Sequence, residues 1–170
     1  KKNYRTRCSA LIQTSDENIL VDTSPDLRQQ LLRHKIKKID KVLYSHMHAD
    51  QTHGINDLRS FYINNKRPIN VYADKFTSKY LKENFSYIFK GYSKEYPATL
   101  KLNKLEKNTY TKNLNKRVKI RSIVVEHGMV KSNCFIIDNK IAYISDVNKI
   151  YKKDEKFFKK LKYLIIDCLW

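Results

Sequence analysis

Val42-Leu43-Tyr44 is a short apolar run that leads straight into Ser45-His46-Met47-His48-Ala49-Asp50-Gln51-Thr52-His53-Gly54, which holds three histidines and a carboxylate in ten residues. Alternate residues of an extended segment point the same way, so His46 and His48 can reach one ion, and Asp50 continues the alternation. The pattern therefore predicts a buried strand whose end runs into a loop, the usual place for reactive groups on a rigid scaffold. The polar stretch beyond it can start a helix near Thr52. The chain has five histidines, and three of them lie here. Imidazole and carboxylate together bind a divalent cation and leave coordination positions free for water. That chemistry predicts a metal-dependent hydrolase.

Other residues stand at comparable strand ends. Asp22 follows Ile19-Leu20-Val21, and His127 closes Val124-Val125-Glu126 before Gly128. Asp146 follows Ala142-Tyr143-Ile144-Ser145. By their residues alone His127 can be structural and Asp146 a turn or cap carboxylate. The remaining pattern is mixed. Strands are expected over 7–13, 18–22, 42–45, 69–73, 117–126 and 163–168, and a hairpin pairs 132–137 with 140–145 about Asp138-Asn139. Helices are expected over 25–34, 52–61, 75–89 and 154–162. In the first of them Thr23 or Ser24 is the cap and Pro25 the first helical residue. Residues 101–115 are polar and without pattern.

The stretch from His46 to Gly54 resembles the H-x-H-x-D-H-x-x-G signature of the metallo-β-lactamase superfamily. Residues 5–12, 19–32 and 55–59 agree in order with the branch that contains the phosphoribosyl cyclic phosphate phosphodiesterases. The resemblance implies an α+β fold, a four-layer αββα sandwich. It also implies roles: His46, His48 and His127 for a first ion, Asp50 for a second, and Asp146 bridging the two. His48 and Asp50 are then the catalytic pair, with Asp50 orienting or deprotonating the attacking water. Asp22 is expected to orient a histidine through the ring nitrogen that does not face metal. The chain departs from the family at Gln51, where relatives carry histidine; an amide oxygen is the weaker ligand and puts the second ion in question. His53 lies two residues on and is expected beside the ligands or at the surface. Relatives of this branch begin earlier and end later, with a further metal-binding histidine past the position of Trp170. A fragment incomplete at both ends is the expectation.

The 170 residues suffice for one domain with a real core, and no linker-like segment divides them, so residues 1–170 are read as a single domain. Cys8, Cys134 and Cys168 are far apart and odd in number, which excludes a disulfide framework. No apolar stretch approaches a membrane span and no signal peptide opens the chain, so a cytoplasmic protein is expected. The net charge of +18, from 35 basic against 17 acidic residues, favours ligands that bear phosphate. Scattered lysines do not single out nucleic acid, and nothing speaks to oligomeric state. The expected cofactor is one or two divalent ions, zinc or manganese. The expected reaction is hydrolysis of a small cyclic phosphate or nucleotide by water activated on the ion. The alternatives are a hydrolase of another ester, such as a thioester or lactone, and a metal-poor basic protein that binds RNA.

Overall fold

The computed structural model describes residues 5–110 and 118–167. The chain forms two compact units: the first runs to Lys104 apart from Ser15–Glu17, and the second takes Ser15–Glu17 and the chain from Leu105.

The first unit is built on a five-stranded sheet in the order β1 (Ala10–Gln13), β2 (Asn18–Val21), β3 (Lys41–Leu43), β4 (Ile69–Ala73), β5 (Leu100–Lys104). β1 runs antiparallel to β2, and every later neighbour pair is parallel. Parallel strands are covered on both faces, which is why β2 and β3 read as unbroken apolar runs rather than as alternation. Between the strands lie α1 (Leu27–Arg33), α2 (Ala49–Thr52), α3 (Arg59–Asn65), α4 (Lys75–Asn84) and α5 (Ser86–Lys90). Leu20, Val42, Tyr44 and Val71 from the sheet pack with Leu27, Leu58, Phe61 and Leu81 in one buried cluster. Asp74 caps α4, its Oδ1 accepting from the Phe76 and Thr77 amides at 2.9 Å each.

The second unit carries β6 (Asn108–Tyr110), β7 (Lys119–His127), β8 (Val130–Ile137), β9 (Ile141–Ile144) and β10 (Tyr163–Ile166), in the sheet order 10-9-8-7-6. Only the β9/β10 pair is parallel. Ile123, Val125, Cys134, Ile136, Ala142 and Ile144 form its core, against which Phe157, Phe158 and Leu161 pack. The predicted hairpin turn is present: Asp138 and Asn139 have φ of 50° and 54°, the left-handed pair that a two-residue turn requires.

Several expectations need correction. Residues 101–115 were expected to be without pattern, yet β5 pairs along its whole length with β4, and β6 follows it. Lys101 and Lys104, both exposed, hide an edge strand behind its charge. The expected helix over 52–61 begins earlier, at Ala49, and is broken at His53-Gly54 into α2, a 3-10 turn over Ile55–Leu58, and α3. Phe85, with φ of −130°, divides the helix expected over 75–89. The expected helix over 154–162 is a 3-10 turn, Lys152–Phe157. Finally, α1 starts at Leu27 with Asp26 at its cap position, and neither Thr23 nor Ser24 caps it. The predicted strand limits at 117 and 168, and part of the 101–115 segment, lie outside the described residues.

Candidate metal centre

β2, β3 and β4 are parallel neighbours, so their carboxyl ends share one end of the first sheet. Asp22 stands just past β2, and Ser45-His46 just past β3. Asp22 has φ of 61°, a left-handed conformation that Asp and Asn tolerate better than most residues. The turn directs its buried carboxylate at the next strand's end. There Oδ1 accepts from the Ser45 amide and Oδ2 from the Ser45 hydroxyl, both at 2.7 Å. The Ser45 Oγ stands 3.1 Å from His46 Nδ1. Since the serine proton is directed to Asp22, the remaining serine lone pairs accept from His46 Nδ1–H. His46 is thereby held as the tautomer with a lone pair on Nε2.

That Nε2 faces His48 Nδ1 at 3.0 Å, with the two rings edge to face and their centroids 4.6 Å apart. His46 is buried and His48 exposed. Two ligand atoms at zinc–nitrogen distances of about 2.05 Å in tetrahedral geometry stand roughly 3.3 Å apart. The observed convergence of two imidazole nitrogens fits a borderline divalent ion with little adjustment. Asp50, half-buried, lies in the first turn of α2.

Gln51 is fully buried, its Nε2 donating to Cys8 Sγ at 3.3 Å, and its carbonyl accepts from the Thr23 amide at 2.7 Å. His53 turns elsewhere: it is exposed, its Nε2 is 2.9 Å from the Tyr80 hydroxyl, and its ring lies edge-on to Phe85. Beneath the motif, Tyr44 is buried and its hydroxyl lies 2.7 Å from Thr23 Oγ1. Burial pushes its phenol far above the ordinary value; the Thr23 hydrogen bond opposes this and the Asp22 charge adds to it.

In the second unit β7 and β9 both flank β8 antiparallel to it, so they run the same way and their carboxyl ends lie at one end of that sheet. His127 ends β7. The chain after β9 is fastened to the end of β7, with Glu126 donating to the Lys149 carbonyl at 3.0 Å and accepting from the Asn148 amide at 2.7 Å. Asp146, half-buried, lies in that fastened stretch, at the same sheet end as His127. Ser45 and Cys8 are the residues that sequence reasoning did not single out. A hydroxyl directly before the first motif histidine was the available signal for Ser45; nothing marks Cys8.

Residues 17–170 match the family model of the beta-lactamase superfamily domain, and the chain belongs to that family. Its fold is the metallo-β-lactamase fold, whose members are mostly hydrolases and typically bind divalent metals. A crystal structure of a new diphosphatase from the PhnP family is similar over 94% of this chain and 59% of its own, with a TM-score of 0.80 and 28% identity. Zn(2+)-bound PqqB from Methylobacterium extorquens is similar over 96% of this chain and 60% of its own, with a TM-score of 0.73 and 17% identity, a likeness of fold alone. A curated relative named octanoyltransferase, from Porphyromonas gingivalis (strain ATCC BAA-308 / W83), is 30% identical over 170 residues, 99% of this chain and 34% of the relative. The chain thus spans about a third of that relative's length. Among the described residues no helix is long and apolar enough to cross a membrane.

Proposed function

We propose that this chain carries the metal centre of a phosphodiesterase acting on a small cyclic phosphate or nucleotide. The observation that carries the reading is the Asp22–Ser45–His46 relay, which delivers the His46 lone pair beside that of His48. His127 is the third ligand in this reading, as the family pattern has it. Asp50 and Asp146 complete the donor set. The likeness to the PhnP-family diphosphatase and the charge of +18 support a substrate bearing phosphate.

A bound ion supplies Lewis acidity and makes water nucleophilic at neutral pH. The chain's own residues do the rest. Asp22 and Ser45 keep the proton of His46 on Nδ1. Asp50 orients the attacking water, takes its proton as oxygen adds to phosphorus, and returns that proton to the ester oxygen as the P–O bond breaks. Gln51, with an amide where relatives have imidazole, limits the centre to fewer than two tightly held ions per chain.

A second reading is hydrolysis of a thioester or lactone, favoured by the name octanoyltransferase borne by the curated relative, of which this chain matches 34%. A panel comparing a cyclic phosphodiester with a thioester on the intact, metal-loaded protein decides between them. Turnover of the phosphodiester, lost together with bound metal in His48→Ala, is the expected result. Faster thioester cleavage would replace the first reading with the second, and undiminished turnover in a metal-free preparation would sink both.

A further inference from the structure

A cavity of about 270 Å³ lies in the first unit between the 3-10 turn after the histidine motif and the loop that leaves α5. It is lined chiefly by Tyr87, Tyr92 and Tyr96, together with Asn56 and Arg59. From these residues we infer that this cavity is a nucleotide-binding slot, in which a nucleobase stacks on the exposed Tyr92 ring and Arg59 meets the phosphate.

The loop is constructed to present those rings. Gly91 has φ of 68°, and a Cβ there would lie 2.7 Å from the Ala98 nitrogen and 2.8 Å from the Tyr96 carbonyl oxygen. Glycine is therefore required for the chain to fold back so closely. Tyr92 then donates to the Tyr96 carbonyl at 2.8 Å, Gly91 to that of Tyr87 at 3.0 Å, and Thr99 to that of Ile88 at 2.9 Å. The backbone ladder fixes the three tyrosines at one mouth.

The ring geometry suits a guest. Tyr87 and Tyr92 are parallel within 4°, with centroids 6.5 Å apart, near the outer limit at which aromatic pairs attract one another. A planar base can lie against an open ring face at the usual spacing of about 3.5 Å between carbon layers. Tyr92 is 79% exposed, so its ring is accessible to a base. Tyr87 donates its hydroxyl to Asn56 Oδ1, which fixes its ring and leaves the Asn56 amide nitrogen to donate to a base acceptor. The Arg59 guanidinium sits 5.7 Å from the Tyr96 ring centroid, a cation held at the rim by an aromatic face. The cavity is slightly smaller than the ~300 Å³ at which sites for drug-sized ligands begin, which matches one base rather than an oligonucleotide.

This inference uses residues 56–96 alone and stands whether or not the metal centre acts on phosphodiesters. Isothermal titration of the metal-loaded protein with adenosine 5′-monophosphate and with ribose 5-phosphate tests it without turnover. Stacking of one base predicts that the nucleotide binds about tenfold tighter than the sugar phosphate, or more. Tyr92→Ala is expected to remove that advantage and Tyr92→Phe to keep it; Tyr92 is so exposed that neither change threatens folding. Arg59→Ala is expected to weaken both ligands. Equal affinities in the parent protein, or a base advantage that survives Tyr92→Ala, would overturn the assignment.

Discussion

Gly54→Ala isolates the packing that holds the histidine loop. The backbone at Gly54 is ordinary, with φ of −87°, so no conformational penalty attaches to alanine. The cost is one of space. A Cβ at this position would land far inside van der Waals contact with the Ser24 carbonyl oxygen, 2.9 Å from the Ser24 carbonyl carbon and 3.0 Å from Leu27 Cβ. The Ser24 carbonyl cannot swing aside freely, because it accepts the Leu27 amide at 2.9 Å where α1 begins. Nor can Gly54 retreat without lengthening its own 2.9 Å hydrogen bond to the Thr23 carbonyl. Overpacking of this kind costs about 1–3 kcal/mol, and one lost backbone hydrogen bond adds about 1 kcal/mol. The expected loss is therefore about 2–4 kcal/mol, which for a chain of this size lowers Tm by about 10 °C. Gly128→Ala is the control. No atom lies within 4 Å of a Cβ there, and its φ of 58° alone predicts a loss of about 1 kcal/mol. Thermal and urea unfolding of both variants measure the contrast. If Gly54→Ala melts within about 2 °C of the parent, or no lower than Gly128→Ala, the close approach of the two loops is not what the geometry says it is.

Ser45→Ala removes the hydroxyl between Asp22 and His46 and is expected to weaken metal binding by about 10–100-fold, measured by competition with a chromogenic chelator; affinity within threefold of the parent would rule out the relay. Burial raises the Cys134 thiol from 9.0 to about 12, so alkylation at pH 8 is expected at the exposed Cys8 and not at Cys134 until the chain unfolds, as read by peptide mass spectrometry. Because the folded state holds that proton more tightly, the thiol's contribution to stability is intact below pH 9 and declines as pH rises toward 12; comparison with Cys134→Val over that range should show the difference. Elemental analysis of the intact protein is expected to give fewer than two tightly bound ions per chain, and histidine at position 51 to raise the number; two ions in the parent would contradict the reading of Gln51.

The fold was legible where physical pattern is local. An apolar run of β-branched and aromatic residues followed by alternating ligands is enough to place β3 and the histidine loop, and two residues suited to positive φ are enough for the β8/β9 turn. Ile69–Ala73 was read to the residue because its ends are set by Pro68 and Asp74. What failed depended on partners distant in sequence. β5 exists because β4 offers it five paired positions, not because Leu-Lys-Leu-Asn-Lys prefers extension. The break at His53-Gly54 follows from the approach of Ser24, thirty positions earlier, which no periodicity records. At the site the same division holds: the proximity of His46 and His48 followed from spacing, whereas the contacts of Ser45 depend on a carboxylate delivered by the neighbouring strand.

Thr23 explains why a correct residue type led to a wrong reading there. Threonine before a proline looks like a helix cap, but every polar atom of this one is engaged with the histidine loop. Its amide donates to Gln51, its carbonyl accepts from Gly54, and its hydroxyl lies 2.7 Å from the Tyr44 hydroxyl and 3.0 Å from the Thr52 carbonyl. One hydroxyl has one proton, so Thr23 donates to Thr52 and accepts from Tyr44. Burial keeps the Tyr44 phenol protonated and thus able to donate. Asp22-Thr23 thereby orders the loop from both sides: the aspartate aligns the residue before His46, and the threonine ties down the short helix after His48. A loop that holds two imidazole nitrogens within 3.0 Å of each other needs such bracing, because ring nitrogens left to free rotation would turn toward water instead.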